Sequence, residues 1–222
     1  MCGRFALIDY YNTISEHFSI DEILGEYQVS YNIPPGGKIL SVIIKEDKRI
    51  LAPLQWGLIP FWSKEPSIGG RMINARAETI QEKPSFRHAV KSNRCLIVAS
   101  GFFEWEKKEK SKDPVFIYMK NREPFGMAGV YDRWISPAGL EIISCAIITT
   151  GANSLLMPIH DRMPVIIQKN MHDRWLNTSG SLDTQVIPLL KPFPPELMSF
   201  HHVSKTVNSP KHNTPECIEP LQ

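Results

Sequence analysis

Apolar residues in this chain gather in short, β-branched blocks separated by polar stretches. The blocks are ILSVII near 39–44, CLIVAS at 95–100, VFIYM at 115–119, CAIITT at 145–150 and PVIIQ at 164–168. They are too short for most helices and rich in residues that favour extended backbone, so each predicts a strand. Helical candidates are fewer: ISEHFSIDEIL after Asn12 and Thr13, the stretch around HDRWL, and PELMSF, which opens with Pro195 at a position where its missing N–H costs nothing. The lysine-rich EKKEKSKDP, with Lys107, Lys108, Lys110 and Lys112, predicts a solvated hairpin tip between two apolar strands. The 18 prolines are scattered among the blocks, and no repeat or low-complexity tract interrupts them. The expected fold class is α+β: one domain, residues 2–222, built on a curved, mainly antiparallel β-sheet or barrel with flanking helices.

A chain of 222 residues, 42% hydrophobic, can bury a substantial core in one domain. Its net charge of +2 excludes an overwhelming basic field, so any polyanion site must be a local groove. The four cysteines, Cys2, Cys95, Cys145 and Cys217, form no CxxC pair. That spacing indicates neither a zinc ribbon nor a disulfide framework, and reduced thiols are expected. No apolar run approaches the roughly 20 residues of a membrane span, and nothing before Cys2 could serve as a leader. The chain is therefore expected in the cytoplasm, with no membrane partner, metal or cofactor.

Several segments place polar groups in apolar surroundings. In RMINARAET, Asn74, Arg76 and Glu78 alternate, so on a strand all three would share one face. In GFFEW, Glu104 stands between Phe103 and Trp105, where a carboxylate is costly to bury alone. It is either an internal salt-bridge partner of an arginine or a general acid or base with a raised pKa. In MPIHDRMPVII, His160, Asp161 and Arg162 interrupt two apolar stretches between Pro158 and Pro164, a rigid polar loop of the kind that carries catalytic groups. WGLIPFW reads as an irregular loop offering Trp56, Phe61 and Trp62 as exposed rings on which bases could stack. Finally, Cys2 would carry both a thiol and a free α-amine if Met1 were removed, a pairing that no internal cysteine has.

Together, MCGRF, YNIPPG, WGLIPFW, INARAET, GFFEW, IHDRMP and VSKTVN resemble the SOS-response-associated peptidase (SRAP) family of abasic-site-processing proteins, over residues 2 to 208. One departure is Pro34, where the family more often has alanine before the proline matching Pro35; it affects a turn. The resemblance implies the SRAP fold and an N-terminal cysteine that captures the aldehyde of an abasic site in single-stranded DNA. Residue chemistry is compatible with this: an α-amine of pKa near 8 is partly unprotonated at neutral pH and attacks the aldehyde to form an imine. The thiol of the same residue then closes a five-membered thiazolidine with a high effective molarity.

By position in the family motifs, Asn74 would place the sugar or the Cys2 amine, Glu104 would shuttle protons, and His160 would hold the sugar oxygen or 3′ phosphate. Arg4, Arg76 and Arg162 would be phosphate ligands and Trp62 a stacking platform. The implied partner is single-stranded DNA containing abasic sites, met by a monomer. Where ring closure fails, the imine would permit slow lyase chemistry. Two rival readings stay open: a thiol peptidase with Cys2 as nucleophile, whose minimal activity is removal of its own Met1, and a non-covalent single-strand binder in which Cys2 is incidental.

Overall fold

The structure, a computed structural model, describes residues 2–109, 111–177 and 181–221. In chain order its strands are β1 (Phe5–Leu7), β2 (Glu22–Ile23), β3 (Ser30–Ile33), β4 (Lys38–Lys45), β5 (Lys48–Trp56), β6 (Asn74–Arg76) and β7 (Arg94–Ala99). There follow β8 (Gly101–Lys107), β9 (Lys112–Met119), β10 (Phe125–Ile135), β11 (Glu141–Gly151), β12 (Arg162–Pro164), β13 (Ile166–Ile167) and β14 (Met198–His202). The α-helices are short: α1 (Tyr11–Phe18), α2 (Ala89–Ser92) and α3 (His172–Leu176).

Five strands close on themselves. β11 pairs with β10, β10 with β7, β7 with β4 and β4 with β5, all antiparallel, and β5 returns to β11 in parallel. This ring is a β-barrel, which leaves its strands no open edges. Alternate residues divide cleanly. Ile39, Leu54, Ile97, Met127 and Ile147 fall in one buried cluster, while Leu40, Val42, Leu96, Val98 and Ile148 join a second with Ile14 and Phe18 of α1 and Trp175 of α3. Both barrel faces are thus covered, which is why these strands read as continuous apolar runs. The expected α+β class with mainly antiparallel pairing holds.

A second sheet, in the order β14-β9-β8-β1-β3, lies against the barrel. Phe5, Phe102, Val115 and Ile117 join the first cluster, and Phe103 and Phe116 face the other way toward Val203, Val207 and Cys217. The C-terminal segment is tied down by Asn32, whose Nδ2 donates to the carbonyls of Val207, Ser209 and His212. Asn213 Oδ1 accepts in return from the Tyr31 and Asn32 amides. YNIPPG and VSKTVN therefore meet in space; Pro34 precedes the turn that starts at Pro35.

Three helical and strand expectations need correction. The helix expected through Leu24 stops at Phe18, where Ser19 turns left-handed at φ 53°. Beyond it the backbone pairs with β5 instead, Asp21 N donating to Arg49 O and Leu24 N to Leu51 O. PELMSF makes only one tight turn, Pro195–Leu197, before β14 takes up the edge of β9. PVIIQ is split: Pro164 faces Thr149 on β11, and Ile166 and Ile167 move across to β10. Pro164 has no N–H to continue the first ladder. The lysine-rich segment forms the expected hairpin, Lys107 facing Lys112, with Lys110 outside the described residues.

Candidate active site

The site begins with the register of β1 against β8. Phe5 faces Phe102 and Ala6 faces Gly101, and the Phe103 amide donates to the Arg4 carbonyl at 3.0 Å. Continued one residue further, the same register sets Gly3 opposite Glu104, so Cys2 passes beside that carboxylate. Glu104 alternates with Phe103 and so shares the barrel-facing side of β8 with Phe102. It is only 4% exposed. Burial raises its pKa above the ordinary carboxylate value, and the nearby His160 pulls in the opposite direction. The Cys2 side chain is fully buried, and its thiol is pushed up to about 12, by burial first and the Glu104 charge second. Such a thiol is protonated at neutral pH.

Asn74 reaches the same place from the opposite side. β6 runs parallel to β11 with Asn74 facing Ile147, and Asn74 Nδ2 donates to the Cys2 carbonyl at 2.9 Å. Its Oδ1 is buried without a hydrogen-bond partner among the described residues, an acceptor available to an incoming group. His160 comes from the loop after β11. His160 Nδ1 accepts the Arg162 amide at 3.0 Å, so the neutral ring carries its proton on Nε2. Asp161 Oδ1 lies 2.9 Å from the same Nδ1. Glu104 and His160 line one cleft of about 410 Å³ with Trp105, Lys107, Lys112 and Asn208. Four separate segments are thus linked here: Asn74 bonds the Cys2 carbonyl, Glu104 lies beside Cys2, and His160 shares the cleft with Glu104.

The expected DNA ligands are placed less uniformly. Arg76 is exposed at the end of β6. Arg162 is half-buried and bonded to Glu78 and Thr149. Arg4 donates through Nη1 to Asn32 Oδ1 at 2.6 Å and the Val207 carbonyl at 2.8 Å, which commits much of its head to anchoring the C-terminal segment. Trp62 and Phe61 are 48% and 55% exposed, but Trp56 is 1% exposed, edge-on to Phe5, and donates its indole N–H to Ile73 O. Of the three rings expected at the surface, Trp56 is a core residue because β5 extends through it. Glu78 does not continue the strand face of Asn74 and Arg76; it sits in the tight turn Ala77–Thr79.

The Trp62 loop is held by groups that sequence reasoning passed over. Buried Asp132 accepts from the Phe61 amide at 2.9 Å, and Trp134 Nε1 donates to Ser63 O at 2.7 Å. Gly57 has φ +129°, and a Cβ there would come within 2.6 Å of Gly69 O, so two backbones cross where only glycine fits. Asn153 was also missed. Buried in the loop before His160, it caps the Leu156 amide through Oδ1 and donates from Nδ2 to Phe193 O at 2.7 Å. Only its place next to a turn could have signalled it.

Among the described residues no cluster of three or more His, Cys, Asp or Glu could hold a metal ion, and no helix is long and apolar enough to cross a membrane. A family model described as SOS response associated peptidase (SRAP) matches residues 1–210. The chain is 46% identical over 222 residues, 99% of each partner, to abasic site processing protein YoqW of Bacillus subtilis (strain 168). It is 34% identical over 203 residues to abasic site processing protein HMCES of Rattus norvegicus, a match covering 78% of this chain and 57% of that one. A crystal structure of a protein from Bacteroides thetaiotaomicron shares the fold at a TM-score of 0.89, with 30% identity and full coverage of both chains.

Proposed function

The chain belongs to the SOS response associated peptidase (SRAP) family, and on that premise we propose that it captures abasic sites in single-stranded DNA as a covalent thiazolidine on Cys2, once Met1 has been removed. The observation that carries the reading is a buried Cys2 with Asn74 bonded to its carbonyl and Glu104 beside its thiol, His160 in turn lying near Glu104. The α-amine adds to the C1′ aldehyde of the ring-opened sugar, and loss of water leaves an imine. The thiol then adds to the imine carbon, its proton passes to the nitrogen, and a five-membered ring closes.

Each neighbour has a task in that sequence. Asn74 fixes the Cys2 carbonyl and offers Oδ1 to the amine or the sugar. Glu104 takes the proton from the amine and returns it to the departing hydroxyl; burial, by raising its pKa, brings it closer to exchanging protons near neutrality. His160 holds the sugar oxygen or the 3′ phosphate. Arg76 and Arg162 contact phosphates, and Trp62 stacks on a base. The strongly raised thiol pKa counts against the peptidase reading, whose nucleophile is a thiolate.

The test is intact-mass analysis of Met1-processed protein incubated with an abasic oligonucleotide. The expected product is heat-stable, lighter by one water than the sum of its parts, and missing in Cys2→Ala. Cys2→Ser should give a labile imine that borohydride traps. An undiminished adduct in Cys2→Ala would overturn the mechanism, and equal non-covalent binding of intact and abasic strands with no adduct would leave the binding-module reading.

A further inference from the structure

Arg162 lies under a carboxylate. Its Nη1 donates to Glu78 Oε1 at 2.6 Å and its Nη2 to Glu78 Oε2 at 3.0 Å. The guanidinium fork that would clamp two phosphate oxygens is therefore already filled by two carboxylate oxygens of similar spacing. The partners are unequally embedded: the side chain of Arg162 is 17% exposed and that of Glu78 52%. Thr149 fixes Arg162 independently, accepting from Nη2 through its carbonyl at 2.6 Å and Oγ1 at 3.2 Å. Arg162 is thus the fixed member of the pair and Glu78 the displaceable one. Glu78 stands two residues after exposed Arg76, the other arginine assigned to phosphate.

We propose that Glu78 is an electrostatic gate on the DNA groove, a specificity-determining residue that occupies Arg162 in the absence of nucleic acid and lowers the affinity for undamaged single strands. The inference rests on the reading of Arg162 as a phosphate ligand. A strand approaching Arg162 exchanges one anion for another, and the site it meets is locally neutral, so this contact contributes little net charge neutralisation. An abasic strand is held afterwards by the covalent bond to Cys2, which does not depend on Arg162. The gate therefore shortens the dwell on intact DNA without loosening the adduct. A purely structural brace is the opposite case, in which Glu78 aligns Arg162 for phosphate; with Thr149 already aligning it, that service is redundant.

Glu78→Gln separates the two, because it keeps size and one acceptor while removing the charge. Binding of an intact single-stranded oligonucleotide to the full chain is measured by fluorescence anisotropy across roughly 50–300 mM salt, with thermal melting as a folding control. The expected result is a several-fold gain in affinity near 0.1 M salt and a log–log salt slope steeper by about 0.7, the increment for one phosphate on a single strand. In an Arg162→Ala background the same substitution should give a clearly smaller gain, since Arg162 is what it releases. Weaker binding by Glu78→Gln, or an unchanged slope beside normal wild-type binding, overturns the gate alone. Wild-type protein that binds no single strand at any salt overturns the proposed function and the gate with it.

Discussion

An N-terminal cysteine could act as a thiolate nucleophile or as an amine that a thiol later locks, and the ionisation of Cys2 separates the two. In the chain that still carries Met1, its thiol is raised from 9.0 to about 12, chiefly by burial. At pH 7.5 that leaves a thiolate fraction of roughly 3 × 10⁻⁵, about 10³ times smaller than for a thiol at 9.0. The perturbation is a pulse of iodoacetamide at steps from about pH 6 to 10.5, with modification of Cys2 quantified by peptide mass mapping against the unfolded chain. Native Cys2 should react at least about 10³ times more slowly at neutral pH, since burial adds a steric barrier to the ionisation deficit. The logarithm of its rate should climb with unit slope through the whole range. Glu104→Gln removes the second cause of the raised pKa and should move the curve to lower pH without creating a plateau, because burial remains. A plateau near pH 6 to 7 would refute the reasoning. It would mean a thiolate held beside an imidazolium, and the peptidase reading with His160 as partner would return.

Glu104→Gln should also slow adduct formation by about 10² or more at nearly unchanged DNA affinity, read by single-turnover crosslinking; a wild-type rate would make Glu104 a structural residue. In the wild type that rate should fall as acid titrates the Glu104 carboxylate. A third expectation concerns stability. His172 stacks on Phe18 with ring centroids 5.1 Å apart, and burial lowers its pKa from 6.5 to about 4. The unfolded chain binds a proton that the native ring refuses, so this contribution is complete above about pH 6.5 and is lost as pH falls toward 4, by roughly 3 kcal/mol. Urea midpoints of His172→Phe should flatten across that window, and an undiminished slope would assign the acid sensitivity to other groups.

GFFEW and IHDRMP each set ionisable groups among apolar residues, and that mismatch of polarity is visible without coordinates. Cys2 stood out instead by the thiol and α-amine it would pair once Met1 is removed, and INARAET by its alternating polar residues. The strand blocks were equally plain, since β-branched runs of this length suit little else. The extra helical turns were not refused by local propensity: Asp21 to Leu24 and Met198 to Phe200 pair with β5 and β9 because those edges offer backbone partners the sequence does not display.

Tertiary structure alone decided the rest. Barrel closure depends on the pairing of Cys145 with Trp56, residues far apart in sequence whose strands are apolar on both faces and so carry no alternation to set inside from outside. That closure turned Trp56 from an exposed ring into core. The β1–β8 register brings Glu104 beside the N-terminal segment, and the parallel placement of β6 on β11 brings Asn74 to the Cys2 carbonyl. Arg162 looked like an open cation in sequence, yet in space it is clasped by Glu78. Composition and pattern determine which groups a chain carries and which of them it must bury. Which of those groups meet is settled by strand register, because backbone pairing joins positions with no local relation to one another.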